Sequence, residues 1–392
     1  MGAHRVLFYV QHLLGIGHLK RAVALVNAMT DAGLEVTFVT GGVPVPGLVI
    51  HAANCVQLAP ASAADLSFKT LLDATGAPVD DAWKQNRREQ LLAVFHEARP
   101  HALVIELFPF GRRQMRFELL PLLEAVRAGA DPPVVVSSVR DVLGGGQSDP
   151  SRQDQMLQTF ERYFDHVLVH GDAALVPFDR TFRHTGRLGA RLHYTGYVVG
   201  PVSDQPLAAS PAERANGEVL VSVGGGAVGR QLLEAAIAAR PLSNLRDNPW
   251  RLLAGVNATD PDVARLQRLS RDTPGVQVER HRADFPSLLA RCRLSVSQGG
   301  YNTIMDILQA RAAAVVVPFA GGAEVEQSLR ARLLAAKGWI ELVEESALSP
   351  VALAQAIDRA AARAALSRMS VSLDGARNSA SLVARWIGER AA

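Results

Sequence analysis

Apolar positions in this chain fall into short unbroken runs separated by helical periods. Arg5–Val10 (RVLFYV) is the first such run. A glycine-containing loop, Leu14–His18, follows it. In Leu19–Ala32, the residues Ala22, Leu25, Val26 and Met29 then recur on one helical face. Gly33 stops that period, and Glu35–Thr40 (EVTFVT) opens the next run. Strand, glycine loop, helix, glycine stop and strand make a βαβ unit. Runs without polar alternation are what a parallel sheet covered on both faces requires. The same rhythm predicts strands at Ala102–Glu106, Val134–Ser138, Val167–Val169 and His193–Thr195, with helices over Trp83–Ala98 and Met115–Ala128.

Near Gly196 the texture changes. Gly196–Pro211 holds three prolines and two glycines with few periodic apolar residues, and reads as a linker. Beyond it the βα rhythm restarts with Val219–Val223, a glycine loop and a helix over Arg230–Ala239. Strands are expected at Arg251–Gly255, Val276–Glu279, Leu294–Ser297, Ala314–Pro318 and Trp339–Leu342. The expected fold class is therefore α/β, with two doubly wound, Rossmann-like domains facing across a cleft. The expected bounds are residues 1–197, a linker at 198–211, a second domain at 212–376 and a last helical stretch at 377–392.

Composition narrows the function classes. The 392 residues are 48% hydrophobic and 20% charged, the proportions of an ordinary globular chain. The net charge is only +3, and no basic run with interleaved aromatics appears, so nucleic acid is not an expected partner. Two cysteines, Cys55 and Cys292, lie far apart and form no disulfide framework or metal spacing, and the histidines are dispersed. No metal site is expected, and a reducing cytoplasm fits. The opening run reads as a strand and not a signal peptide, and no apolar stretch approaches a membrane span. Any membrane contact would be peripheral. Phe108–Leu123 mixes arginines with Phe, Met and Leu, and reads as a helix with a solvated basic face before it reads as a membrane-facing surface.

In open parallel sheets ligands bind outside the carboxyl ends of strands, and the unusual residues fall there. Gly15-Ile16-Gly17-His18 follows the first strand. Its glycines allow close backbone approach, and a helix N-terminus disfavours imidazolium, so a neutral His18 is the candidate base. Glu106 ends one further strand and Asp141 follows another. Either would orient His18 or replace it, or would sit in a buried arginine–carboxylate pair. Arg112, Arg113 and Arg140 are candidate acceptor contacts. In the second half, Ser222, Gly224, Gly225 and Gly226 form a strand–helix glycine loop suited to a diphosphate. No Lys-Ser/Thr follows, which argues against P-loop phosphoryl transfer. A second loop holds Gln298, Gly299, Gly300, Asn302 and Thr303, with Asp306 on the following helix as a ribose contact. A third holds Gly321, Gly322, Glu326 and Gln327, the last suited to sugar hydroxyls.

Together these motifs resemble glycosyltransferase family 28, the family of the N-acetylglucosaminyltransferase that makes the lipid-linked peptidoglycan precursor. The likeness is strongest from Ser222 to Leu334, and is carried by Gly224–Ala227, Asp306, Pro318-Phe319 and Glu326-Gln327. Gly15–His18 is similar to the family's N-terminal glycine loop in shortened form. Phe108–Arg113 resembles a group of predicted bacterial glycosyltransferases. The resemblance implies a GT-B enzyme with the donor domain in the C-terminal half, Gly17 beside the donor, and a final helix over Ser379–Arg390 that returns to the first domain. It also implies metal-independent, inverting transfer from a UDP-linked sugar to a hydroxyl acceptor (small molecule, glycan or lipid-linked) with no further cofactor. Gly-x-Gly-His-x-x-Arg also resembles the nucleotide-sugar hydrolase of pseudaminic acid synthesis. A hydrolase, or a non-catalytic nucleotide-sugar binder, is therefore the alternative.

Overall fold

The computed structural model describes residues 4–65, 69–144, 149–200, 210–224, 229–282, 284–321, 326–363 and 371–391. The chain divides into two compact units, Met1–Pro201 with Val371–Ala392, and Val202–Ser370.

Unit 1 is built on a parallel sheet. Its strands are β1 (Arg5–Val10), β2 (Glu35–Thr40), β3 (Asn54–Gln57), β6 (Ala102–Glu106), β7 (Val134–Arg140), β8 (His166–His170) and β9 (Leu192–Tyr194). A short antiparallel pair, β4 (Ser62–Ala63) and β5 (Leu71–Leu72), lies outside it. The order is β3-β2-β1-β6-β7-β8-β9. β1 therefore has β2 on one side and β6 on the other, so the chain reverses its winding between β1 and β6. The crevice at the carboxyl ends of such a pair is where an open α/β sheet places its ligand.

Alternate residues of each strand feed two cores. Leu7, Tyr9, Leu103, Ile105, Val135 and Val139 face α2 (Asp81–Ala98), α3 (Arg116–Ala128) and α4 (Pro150–Tyr163). Val6, Phe8, Val10, Val104 and Val136 face the other side. There α1 (Gly17–Asp31) packs beside the C-terminal helix Gly375–Ala391, which buries Ala380, Val383, Trp386 and Ile387. The Trp386 indole stacks on His166, with ring centroids 3.8 Å apart. Burial, together with the facing His193, pushes the His166 imidazole down to about 4.

Unit 2 repeats the plan with β10 (Val219–Ser222), β11 (Trp250–Leu253), β12 (Val276–Glu279), β13 (Leu294–Ser297), β14 (Ala314–Val316) and β15 (Glu341–Leu342). Its order is β12-β11-β10-β13-β14-β15, all parallel, and its reversal falls between β10 and β13.

Several boundaries differ from the sequence reading. The α1 helix begins at Gly17, so His18 lies inside the first turn and not before it. Only Glu341 and Leu342 of the expected Trp339–Leu342 strand pair, because the Trp339 amide bonds back to Leu334 and closes the preceding helix. Val198, expected in the linker, bridges to Asp374 within unit 1. The chain rejoins unit 1 at Val371, where the Tyr197 amide donates to Ser372, and the last helix starts at Gly375.

A buried ion pair fixes the carboxyl end of β1. Arg87 on α2 and Glu118 on α3 are both fully buried, with Nε to Oε2 at 2.6 Å and Nη2 to Oε1 at 3.1 Å. The Tyr9 hydroxyl donates to the same carboxylate, and burial followed by Glu118 holds that phenol well above its usual range. Arg87 also donates to the carbonyls of Gly41 and Ala59 and to the Gln11 side chain. Gly41 has to be glycine, since a Cβ there would lie 2.1 Å from the Arg87 guanidinium. Breaking one side leaves an uncompensated buried charge, so Glu118→Leu should cost about 3–5 kcal/mol in urea unfolding. Arg87→Met combined with Glu118→Leu should cost less than the two single changes added together.

Candidate active site

The crevice between β1 and β6 gathers the polar residues of unit 1. After β1, Gln11 and His12 are buried, and the loop leads straight into α1. The first turn of α1 carries no acidic residue and no side-chain cap, so its free amides keep the positive end of the helix open. His18 sits in that turn. Arg21 lies one turn further on, on the same side, as i and i+3 positions do. Glu106 is the last residue of β6 and is fully buried.

These three side chains meet. His18 Nδ1 lies 3.1 Å from Glu106 Oε1, and Arg21 Nη2 donates to the same oxygen while approaching His18 Nδ1 at 3.0 Å. The Ser138 hydroxyl donates to the other oxygen, Oε2, at 2.6 Å. Burial alone would raise the Glu106 pKa, but Arg21, then His18 and Ser138, outweigh it and hold the group ionised, well below the usual carboxylate range. A carboxylate only accepts, so the His18 proton belongs on Nδ1 and the lone pair on Nε2. Burial, then the Arg112 guanidinium, drives the His18 pKa well below its ordinary value, against the pull of Glu106. The ring is 15% exposed, enough for a small group to reach it. The result is a neutral imidazole, oriented by an ionised carboxylate at the end of a strand, which is the arrangement of a general base.

Among the other candidates of unit 1, Arg112 turns into the site from a left-handed backbone position, φ 56°, and its Nε donates to the Gln11 carbonyl at 2.7 Å. Burial, with Arg140 and Arg21 nearby, lowers it to about 10, so it stays a cation at neutral pH. Arg140, half-buried at the end of β7, also acts on His18. Arg113 is exposed on the one-turn helix Arg113–Met115. The Asp141 carboxylate receives the Tyr197 hydroxyl and the Val142 amide, each at 2.9 Å, so the partner of His18 is Glu106.

In unit 2 the second reversal point, β10/β13, carries the expected loops. Ser222 and Ser297 are register partners at the ends of these strands. Both hydroxyls are buried with no hydrogen-bond partner among the described residues. Gly224 adopts φ +61°, which favours glycine, while Gly225, Gly226 and Gly322 lie outside the described residues. Gln298 and Gly299 follow β13, and Gly300 starts the helix Tyr301–Ala310. Its first turn holds Asn302 and Thr303 and no acid, and Asp306 lies a turn later, half-buried. A Cβ at Gly321 would meet the Phe319 ring at 2.2 Å. Glu326 pairs with Arg330 at 3.1 Å, and Arg330 lies over the Tyr301 ring. Gln327 Oε1 accepts from the Phe319 amide at 3.2 Å. Glu326 and Gln327 therefore brace this loop. Among the described residues no group of three or more His, Cys, Asp or Glu side chains is placed to hold a metal ion.

Residues 220–382 match the glycosyltransferase family 28 C-terminal domain. Over 139 residues the chain is 33% identical to the UDP-N-acetylglucosamine–N-acetylmuramyl-(pentapeptide) pyrophosphoryl-undecaprenol N-acetylglucosamine transferase of Brucella anthropi. That span covers 35% of this chain and 36% of the relative, little more than a third of its length. Among solved structures, MurG of Acinetobacter baumannii superposes with a TM-score of 0.63 at 16% identity, covering 98% of this chain and 100% of that one. Phytolacca americana UGT2, complexed with UDP-2-fluoro-glucose and pterostilbene, gives 0.60 at 14%, covering 99% and 94%. The fold is GT-B. No helix among the described residues is long and apolar enough to cross a membrane.

Sequence reasoning missed Ser138 and His170, and gave Arg21 only as the last residue of the Gly-x-Gly-His-x-x-Arg motif, without its role beside His18 and Glu106. Arg21 had a signal, its i+3 spacing from His18. Ser138 had only its place near the end of β7, and His170 its place at the end of β8.

The titration pattern sets an acid limit on unit 1. His170 is buried and pushed down to about 3, mainly by burial and then by Arg21, and His18 is lowered as well. Both protonate in the unfolded chain at about pH 6.5 but not in the folded one. Their contribution is complete above about pH 6.5 and is lost as pH falls toward the folded values. Glu106 adds a loss in the same direction below its unfolded pKa. Thermal melts should fall progressively from pH 6.5 to 4, and His170→Gln should flatten that slope.

Proposed function

We propose that the chain transfers a sugar from a UDP-linked donor to a hydroxyl acceptor with inversion, and that His18 is the base. The observation that carries this reading is the neutral His18 held by ionised Glu106 at the β1/β6 reversal point. His18 Nε2 takes the acceptor proton, and the acceptor oxygen bonds to the anomeric carbon. The bond from that carbon to the diphosphate breaks, and UDP leaves with the electron pair. Gly17 and the open amides of α1 stand next to the base. In unit 2, the glycine turns after β10 and β13 and the acid-free helix end at Gly300 supply the amides that a departing diphosphate needs. The unpartnered hydroxyls of Ser222 and Ser297 support a polar ligand there. The relatives support uridine, since one is named for a UDP-sugar donor and another holds a UDP-sugar analogue.

Arg112, Arg140 and Arg21 all bear on His18. This positive field favours an acceptor with an anionic group beside its hydroxyl, and it eases formation of the alkoxide. The same imidazole would activate water, which is the hydrolase reading. Free sugar released from UDP-sugar at full rate without an acceptor would select that reading.

Calorimetry with UDP, dTDP, GDP, ADP and NAD should show selective binding of UDP, and binding of NAD alone would overturn the reading. His18→Ala should keep UDP affinity and lose turnover by about a hundredfold or more. Near-normal turnover in that variant would remove His18 as base. Arg112→Ala should raise the acceptor KM by about tenfold while leaving UDP affinity unchanged.

A further inference from the structure

The Glu106 carboxylate is also the end of a buried hydrogen-bond chain that the proposed mechanism does not use. Ser138 Oγ lies 2.6 Å from Glu106 Oε2 and 2.8 Å from His170 Nε2, and His170 Nδ1 lies 2.9 Å from Thr195 Oγ1. Glu106, Ser138, His170 and Thr195 are all buried. The chain ends on the Thr195 hydroxyl, and the main-chain carbonyl of the same residue accepts from Asn378 Nδ2 at 2.8 Å, which ties it to the C-terminal helix.

The donors in this chain can be assigned. Ser138 has one proton. Giving it to His170 would leave a hydroxyl oxygen facing a buried carboxylate oxygen at 2.6 Å with no hydrogen between them, the costlier orphan of the two. Ser138 therefore donates to Glu106 and accepts from His170 Nε2–H. His170, a neutral ring, then presents a bare Nδ1, and Thr195 must donate to it. The competing acceptors for Thr195 are the Gly196 carbonyl at 2.9 Å and the Val169 carbonyl at 3.4 Å, neutral groups that are cheaper to leave.

The chain bears on His18 because two tautomers compete there. Arg21 Nη2 stands 3.0 Å from His18 Nδ1. If the Glu106 carboxylate turned to receive Arg21 with both oxygens, Arg21 could donate to a bare Nδ1. The proton would then move to Nε2, the atom that has to accept from the substrate. Ser138, locked by His170, holds Oε2 and so keeps Oε1 on His18.

We propose that Ser138 and His170 are positioning residues that select the Nδ1–H tautomer of His18 through Glu106. The inference rests on the reading of His18 as base, and its test does not depend on turnover. In the full chain labelled with 15N-histidine, long-range correlation spectra distinguish Nδ1–H from Nε2–H. His18 should carry Nδ1–H in the native chain and shift toward Nε2–H in Ser138→Ala and His170→Leu. His170→Gln keeps an N–H donor toward Ser138 and should restore the native tautomer. In parallel, kcat should fall about tenfold in Ser138→Ala and His170→Leu with the donor KM little changed, and recover in His170→Gln. If His170→Leu does not fold, Thr195→Val removes the far donor and should give a smaller shift in the same direction. An unchanged His18 tautomer in folded Ser138→Ala would overturn the proposal, as would a fall in kcat without a tautomer change. Near-normal turnover in His18→Ala would instead remove the base assignment and leave the tautomer result standing.

Discussion

Taking the Glu106 carboxylate out of water costs several kcal/mol, and nothing apolar around it can return that. What returns it is a full set of donors: Arg21 and His18 on one oxygen, Ser138 on the other. The donors come from two elements, α1 for the first two and β7 for the third, while the acid itself ends β6. The buried charge therefore dictates where α1 starts, which face it turns to the sheet, and how β6 and β7 are registered at their ends. Glu106 and Ser138 are register partners across these strands, so the sheet itself sets one of the three contacts.

A second buried ion pair does for the backbone what Glu106 does for the side chains. Arg87 and Glu118 join α2 to α3, and Arg87 reaches the carbonyls of Gly41 and Ala59 and the side chain of Gln11. Gln11 in turn donates to the carbonyls of His12 and Ala61. The loop that delivers His18 therefore leaves β1 from a clamped point. The glycines beyond it, Gly15 and Gly17, need supply no more than the turn into α1.

The βα units were legible because a parallel sheet covered on both faces writes each strand as a continuous apolar run, and because glycines mark the ends of the helices. His18 and Glu106 were legible as strand-end positions for the same reason. Their partnership was not. Asp141 also directly follows a strand, and only the fold shows that Tyr197 and Val142 donate to its oxygens. Ser138, His170, Arg87 and Glu118 were hidden by a different cause. Periodicity shows which positions are buried, but a buried polar residue is explained only by its partner, and these partners lie on other elements, 31 or 32 residues away. In the C-terminal half the glycine loops stood out more clearly than the residues that brace them. Glu326 reads in sequence as a donor-loop residue, and in the fold it is paired with Arg330 one helical turn later.

Unit 2 is one continuous stretch of chain, whereas unit 1 is made from the first half plus the last helix. During vectorial synthesis the two units therefore finish in the reverse of their order along the chain. Unit 2 has all its strands once about residue 370 has emerged, while the α1 face of unit 1 still lacks Ala380, Val383, Trp386 and Ile387. Thr195, at the far end of the chain from Glu106, also waits for Asn378. A nascent chain can thus present a finished unit 2 before the α1 face of unit 1 is covered. The last helix becomes the step that closes the N-terminal fold.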